Sequence, residues 1–215
     1  MNSHATTTTP ELKITYFPFR ARGETARLTL FVASIPFEDE RVEFSQWPSL
    51  KSKTPLGQIP VLTIDDTTKI GQSSAIVRYA GRLSGLYPVD PLEAALVDQA
   101  YFQVSDVMDA VFLTLSVEED KKAEARAKLA AEKLPKLLEP LDQVFATHGG
   151  KYAVGDKLTI ADVHTYVMAD IFKSGAVDHL DVDLIDKYPN ISKVYQTFKK
   201  HPRVVEWESN HPQTL

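Results

Sequence analysis

The chain has 215 residues, 43% of them hydrophobic and 25% charged, with a formal net charge of −5. That composition predicts one large or two modest globular domains and provides no broad positive field for nucleic acid or anionic lipid. It contains no cysteine, which excludes disulfides, thiolate metal sites and a protein cysteine as nucleophile, so any sulfur chemistry must use a substrate's sulfur.

Residues 1–10 form a Thr-rich stretch without periodicity and are expected to be a disordered tail. The opening Met1-Asn2-Ser3-His4-Ala5-Thr6 lacks the apolar core of a secretion signal, and no apolar run approaches the roughly 18 residues that span a bilayer. A soluble, cytoplasmic protein is expected. Leu12, Ile14 and Tyr16 alternate with Lys13 and Thr15 as in a strand, and Pro18 ends it. From Arg22 to Ala33 the apolar spacing becomes helical, and Glu38–Phe44 returns to a strand-like run before a loop at Trp47-Pro48-Ser49-Leu50-Lys51. Thr54-Pro55-Leu56-Gly57-Gln58-Ile59-Pro60 is a turn that leads into the strand Val61–Ile64; Asp65-Asp66-Thr67 is a hairpin loop, and a short strand ends at Ile70-Gly71. Gln72-Ser73-Ser74 then opens a helix through Leu83.

A βαβ unit followed by a ββα unit over residues 11–84 therefore predicts a compact mixed-sheet domain, and the Gly- and Pro-containing segment 85–91 a linker. Residues 92–215 carry almost only helical periodicity, in runs at Leu92–Leu115, Glu118–Thr147, Thr159–Lys173 and Ile191–His201. Pro135 and Pro140 should bend or interrupt the second run. The mixed charges of Glu118–Lys133 read as a solvated helix face. Thr159-Ile160-Ala161-Asp162 reads as a capping box, with a folding role.

Four segments in this order, Leu12-Lys13-Ile14-Thr15-Tyr16-Phe17, Trp47-Pro48-Ser49-Leu50-Lys51, Gly57-Gln58-Ile59-Pro60-Val61-Leu62 and Gly71-Gln72-Ser73-Ser74-Ala75-Ile76, resemble glutathione S-transferases, the sigma class especially. The resemblance continues through Thr159-Ile160-Ala161-Asp162 and Pro189-Asn190-Ile191 to His201-Pro202-Arg203. It implies an α/β thioredoxin-like N-terminal domain, an all-α C-terminal domain, a homodimer, and glutathione as co-substrate, with no metal and no nucleic-acid or membrane partner.

A tyrosine at a strand end is ordinarily a packed aromatic whose hydroxyl finds some partner. In the family that Tyr16 resembles, this tyrosine donates its hydroxyl hydrogen to the glutathione sulfur and stabilises the thiolate. A thiol of pKa about 8.5 is only about 3% ionised at pH 7. A hydrogen bond to a charged group contributes roughly 1.5–3 kcal/mol, enough to lower that pKa by about one to two units. Arg22 is the implied auxiliary catalytic residue, whereas Arg20 is assigned to structure. The family pattern here reads Arg-Gly-Arg-Ala-Glu, and this chain has Arg20-Ala21-Arg22-Gly23-Glu24, with the glycine moved by two positions.

The Ile59-Pro60 bond is implied to be cis, letting the Ile59 backbone pair with the cysteinyl backbone of glutathione as an added strand would. Gln72 and Ser73 precede a helix N-terminus, which suits a carboxylate, and the resemblance places the γ-glutamyl carboxylate at Ser73. Trp47 and Lys51 are implied to meet the glycyl end, with Gln58 nearby. Asp106 is read either as an exposed helical carboxylate or, by resemblance, as reaching the γ-glutamyl ammonium bound to the neighbouring subunit. The electrophile is expected between Phe17, Phe19, Arg22 and Met108.

Other readings follow from the same residues. Glutathione-dependent peroxidase or isomerase activity would use the same thiolate. Haematopoietic prostaglandin D synthase, a sigma-class relative, has an acid cluster represented here by Phe102, Ser105 and Asp106, and a pocket tryptophan represented by Leu113. The fold also serves non-catalytic carriers and structural proteins, but retention of Tyr16, Trp47, Lys51, Gln72 and Ser73 argues for an enzyme.

Overall fold

The computed structural model describes residues 10–211. The tail expected over residues 1–10 therefore lies, apart from Pro10, outside the described residues. Strands β1 (Leu12–Tyr16), β2 (Glu38–Arg41), β3 (Val61–Ile64) and β4 (Thr68–Ile70) form one sheet in the order β2-β1-β3-β4. β1 runs parallel to β2 and antiparallel to β3, and β3 pairs antiparallel with β4. The β3–β4 loop turns through Asp65 and Asp66, with φ of 49° and 55° and a Thr67 N–H bond of 3.1 Å to the Ile64 carbonyl. Two consecutive left-handed residues give the tight hairpin a twist that matches its strands. Helix α1 (Glu24–Val32) joins β1 to β2, and α3 (Ser73–Ser84) packs beside it, as a thioredoxin-like arrangement requires.

Three local readings shift in the structure. Helix α1 begins at Glu24 rather than Arg22: the Glu24 N–H closes a turn onto the Ala21 carbonyl at 3.1 Å, and the first full helical bond runs from the Arg27 N–H to the Gly23 carbonyl at 3.2 Å. β2 ends at Arg41: Val42 still bonds the Tyr16 carbonyl at 2.9 Å, but the Glu43 N–H turns to the Gln46 side chain at 2.9 Å. Trp47–Leu50 is not loop but a single helical turn, α2, in which Pro48 occupies an early position where its missing N–H is not needed.

The helical half starts with α4 (Pro91–Phe112), whose cap Asp90 accepts the Leu92 and Glu93 amides at 3.0 and 2.9 Å. The expected single run Glu118–Thr147 divides into α5 (Glu119–Lys128), a π turn at Leu129–Lys133 and α6 (Leu134–His148). The wider turn lies just before Pro135, which then falls in the first turn of α6, while Pro140 is carried inside that helix. α7 (Ile160–Lys173) is buried along nearly its whole length. Asp162 reaches back to the Thr159 amide at 2.9 Å and also takes the Thr159 hydroxyl at 3.0 Å and the Ala153 amide at 2.7 Å. The last expected helix begins two residues early, as α8 (Pro189–Lys199), and a further helix α9 (Pro202–Asn210) follows. Both open on a proline, whose fixed φ suits a first helical position. Among the described residues no helix is long and apolar enough to cross a membrane.

The buried apolar residues of the two halves form one continuous core, and polar contacts cross the join. Arg20, just after β1, donates to Asp170 of α7 and Glu208 of α9, each at 2.7 Å. Trp207 Nε1 donates to Glu24 at 2.7 Å. His164 of α7 lies between Thr25 Oγ1 at 2.8 Å and Ser105 Oγ at 3.0 Å, and its ring stacks on Tyr101 with centroids 4.2 Å apart.

Burial pushes the His164 pKa down to about 3, so the folded ring stays neutral while the unfolded imidazole takes up a proton below about pH 6.5. The unfolded state then binds more protons, and stability falls as pH drops from about 6.5 toward 3. In His164→Gln, urea melts across that window should show a shallower acid-side loss, by up to about 1.4 kcal/mol per pH unit.

Candidate active site

Tyr16 closes β1 with its side chain only 4% exposed. The segment that follows is fixed from beneath by Arg27, which is fully buried. Its guanidinium donates to the Phe17 carbonyl at 3.1 Å, the Phe19 carbonyl at 3.3 Å and Asp39 at 2.7 Å, and lies 5.5 Å from the Tyr16 ring centroid. Burial raises the Tyr16 pKa to about 12, opposed in part by the Arg22 backbone amide and by the charges of Arg22 and Arg27. Like any tyrosine the phenol is protonated at neutral pH, and burial extends that to well above it, leaving the hydroxyl able to donate a hydrogen bond.

Arg22, Gln58, Ile59, Pro60, Gln72 and Ser73 line one recess of about 370 Å³. Three local geometries shape it. The Ile59-Pro60 peptide is cis, and Gly57 ahead of it turns through φ 65°. Gln72, the residue capping α3, has φ 69° and ψ 111°, a conformation rare for a residue with a side chain. No side-chain hydrogen bond caps the start of α3. The first amides of that helix and its partial positive charge are therefore available to an anion at Ser73. Arg22 adds a formal charge: its Nη2 pairs with Asp109 of α4 at 2.8 Å, and its guanidinium carbon lies 5.2 Å from the Phe112 ring centroid.

The other expected glutathione contacts do not line this recess, although the groove that Trp47 borders shares Ile59 with it. Trp47 packs edge-on against Phe17 with centroids 6.1 Å apart and borders a second groove with Lys13, Thr15, Lys53 and Lys69. Lys51 is exposed in the short 3₁₀ turn Lys51–Lys53, and Asp106 is exposed on α4.

A largely apolar cleft of about 370 Å³ has walls formed by Phe19, Ala21, Phe44, Phe112, Leu115 and Ile171, and Phe19 separates it from the Tyr16 ring, 5.5 Å away between centroids. The Phe17, Phe19 and Phe44 rings are nearly parallel, with interplanar angles of 16–26° and centroids 4.6–5.9 Å apart. Phe19 thus borders the cleft and Phe17 supports it from behind, whereas Met108 is 3% exposed and packs in the core. Phe44, Phe112 and Asp109 were not singled out from sequence. Phe44 carried one signal, an isolated aromatic after the charged run Glu38–Glu43, and it is 65% exposed. Phe112 and Asp109 had none, since their roles depend on how α4 packs against residues some 90 positions earlier. Among the described residues no three histidine, cysteine, aspartate or glutamate side chains gather as a metal site.

The family models for the glutathione S-transferase N-terminal and C-terminal domains match residues 12–82 and 105–211. Glutathione S-transferase 1 of Ascaris suum is 35% identical over 209 residues, covering 95% of this chain and 98% of that protein. The haematopoietic prostaglandin D synthase of Gallus gallus is 34% identical over 205 residues, covering 95% and 98%. Among solved structures, prostaglandin synthase D of Nilaparvata lugens superposes with a TM-score of 0.84 at 30% identity, covering 94% of this chain and all of that one. The chain belongs to the glutathione S-transferase family.

The left-handed Ala21 is strained by roughly 1–3 kcal/mol, more than the entropy that glycine would lose there. Ala21→Gly should therefore raise the melting temperature by about 2–4 °C, as measured by calorimetry.

Proposed function

We propose that this protein is a sigma-type glutathione transferase, a cytoplasmic homodimer that joins the sulfur of glutathione to electrophilic, largely apolar small molecules. The observation that carries the reading is the buried Tyr16, whose hydroxyl meets the backbone amide of Arg22, a residue that lines one recess with the uncapped start of α3 and the cis-proline turn. In this reading the γ-glutamyl carboxylate sits at Ser73 and the first amides of α3, with Gln72 and Gln58 beside it. The cysteinyl backbone pairs with Ile59 next to Pro60, and the sulfur points to Tyr16. Arg22 adds positive charge near the sulfur, held by Asp109. Trp47 and Lys51 would meet the glycyl end as the ligand extends out of the recess. Asp106, exposed on α4, would reach the glutathione of a neighbouring subunit.

The electrophile is assigned to the aromatic-walled cleft behind Phe19. The glutathione thiol releases its proton to solvent, and attack by the thiolate on an electrophilic carbon forms the C–S bond. The carbon's leaving group departs with its electron pair or, in an addition, the displaced π pair takes up a proton from water. The tyrosine acts throughout as a hydrogen-bond donor and does not lose its proton, in keeping with a pKa of about 12. Two of the relatives are named prostaglandin D synthases, and an isomerase would use the same thiolate. The single carboxylate among Phe102, Ser105 and Asp106, and Leu113 in place of the pocket tryptophan, favour the transferase reading.

Conjugation of glutathione to a chromogenic electrophile tests this directly. Tyr16→Phe should retain glutathione binding, lose roughly ten- to a hundredfold in rate, and show a pH midpoint raised by about one to two units. Equal activity of the two proteins would remove Tyr16 from the mechanism, and failure of both to bind glutathione would favour a structural role for the fold.

A further inference from the structure

Gly23 precedes α1 with φ −81° and ψ −26°, an ordinary right-handed conformation open to any residue. Two residues earlier the backbone does call for glycine, at φ 108°, and there the chain has alanine. The segment Ala21-Arg22-Gly23 therefore carries its glycine where the dihedrals do not need one. What position 23 lacks is space. A Cβ placed there would lie 2.4 Å from Tyr16 Cδ1, 2.5 Å from Cγ and 3.0 Å from Cβ. Comfortable carbon–carbon contacts begin at about 3.5 Å, so roughly 1 Å of displacement would be needed.

The tyrosine cannot yield cheaply. The atoms in collision are its stem and the near edge of its ring, which no rotation of a flexible end relieves. Phe17 and Phe19 stand 5.7 and 5.5 Å away, centroid to centroid, and Arg27 lies 5.5 Å over the ring face. With the other sides occupied, a side chain at position 23 would move the ring and its hydroxyl together.

We propose that Gly23 is a positioning residue for thiol activation: its missing side chain is the seat of the Tyr16 ring and sets where the phenolic hydroxyl meets the glutathione sulfur. The proposal rests on the role assigned to Tyr16 above. A misplacement of about 1 Å is enough to cost on the order of a hundredfold in rate.

The test is a double-mutant cycle on the full chain, with glutathione conjugation followed across pH in wild type, Gly23→Ala, Tyr16→Phe and the double variant. Gly23→Ala should lower kcat by about ten- to a hundredfold, leave the KM for glutathione within about twofold, and move the pH midpoint upward toward that of Tyr16→Phe. In the Tyr16→Phe background the same change should have no further effect, since the hydroxyl it displaces is gone. Should Gly23→Ala fold poorly, Ala21→Gly/Gly23→Ala relieves the strain at position 21 and should show the same rate loss. A wild-type pH profile and kcat in either variant would overturn the proposal while leaving the Tyr16 reading intact. An equal loss in the wild-type and Tyr16→Phe backgrounds would also overturn it, by assigning the effect to the fold. A Tyr16→Phe protein as active as wild type would overturn both.

Discussion

A phenol held in a dry pocket keeps its proton, and on that constraint the rest of the molecule depends. Tyr16 ends a central strand with its ring enclosed by Gly23, Arg27 and the phenylalanines of the following turn. Desolvation disfavours the phenolate and raises its pKa to about 12, so in the proposed mechanism Tyr16 meets the thiol as a donor, not a base. A donor that is already oriented stabilises developing negative charge without reorganising during the reaction. The two arginines nearby act on the same balance from opposite sides of the chain: Arg27 from within the sheet domain, Arg22 from the rim, where Asp109 anchors it.

The helical half has a share in that geometry. Arg20 is tied to Asp170 and Glu208, and Glu24 to Trp207, so both ends of the segment bearing Ala21, Arg22 and Gly23 are fastened to α7 and α9. His164 adds a neutral bridge from α7 to Thr25 of α1 and Ser105 of α4. The position of the segment Arg20–Glu24 is therefore set by contacts separated by well over a hundred residues in the chain. The aromatic cleft arises at the same join, with Phe19 and Phe44 from the sheet half facing Phe112 and Ile171 from the helical half.

Much of the architecture could be read from local pattern. The alternation at Leu12, Ile14 and Tyr16 defined β1, the paired aspartates defined the β3–β4 turn, and helical spacing defined α3, α4 and α7. The misreadings have physical causes. The last helical run expected from periodicity ends at His201, and the short α9 that Pro202 begins was not anticipated. The run through Pro135 and Pro140 gave a bend but could not show that a π turn would absorb it. At the site, the order of motifs named Arg22, Gln58, Ile59, Pro60, Gln72 and Ser73, which line one recess, but it gave no cue that Trp47 borders a neighbouring groove joined to it only through Ile59. Asp109 and Phe112 acquire their roles only when α4 packs on the sheet half. The Gly23 and Ala21 exchange was visible in the sequence as an oddity, and its meaning depended on knowing how close the Tyr16 ring comes.

The most direct test of the central claim is an ultraviolet difference titration of glutathione bound to wild type and to Tyr16→Phe, following thiolate absorbance with pH and no second substrate present. The account predicts that wild type holds the bound thiol about one to two pH units below free glutathione and that the variant returns it to near the free value. Identical titrations in the two proteins would contradict it, because the thiolate would then owe its stability to something other than the Tyr16 hydroxyl.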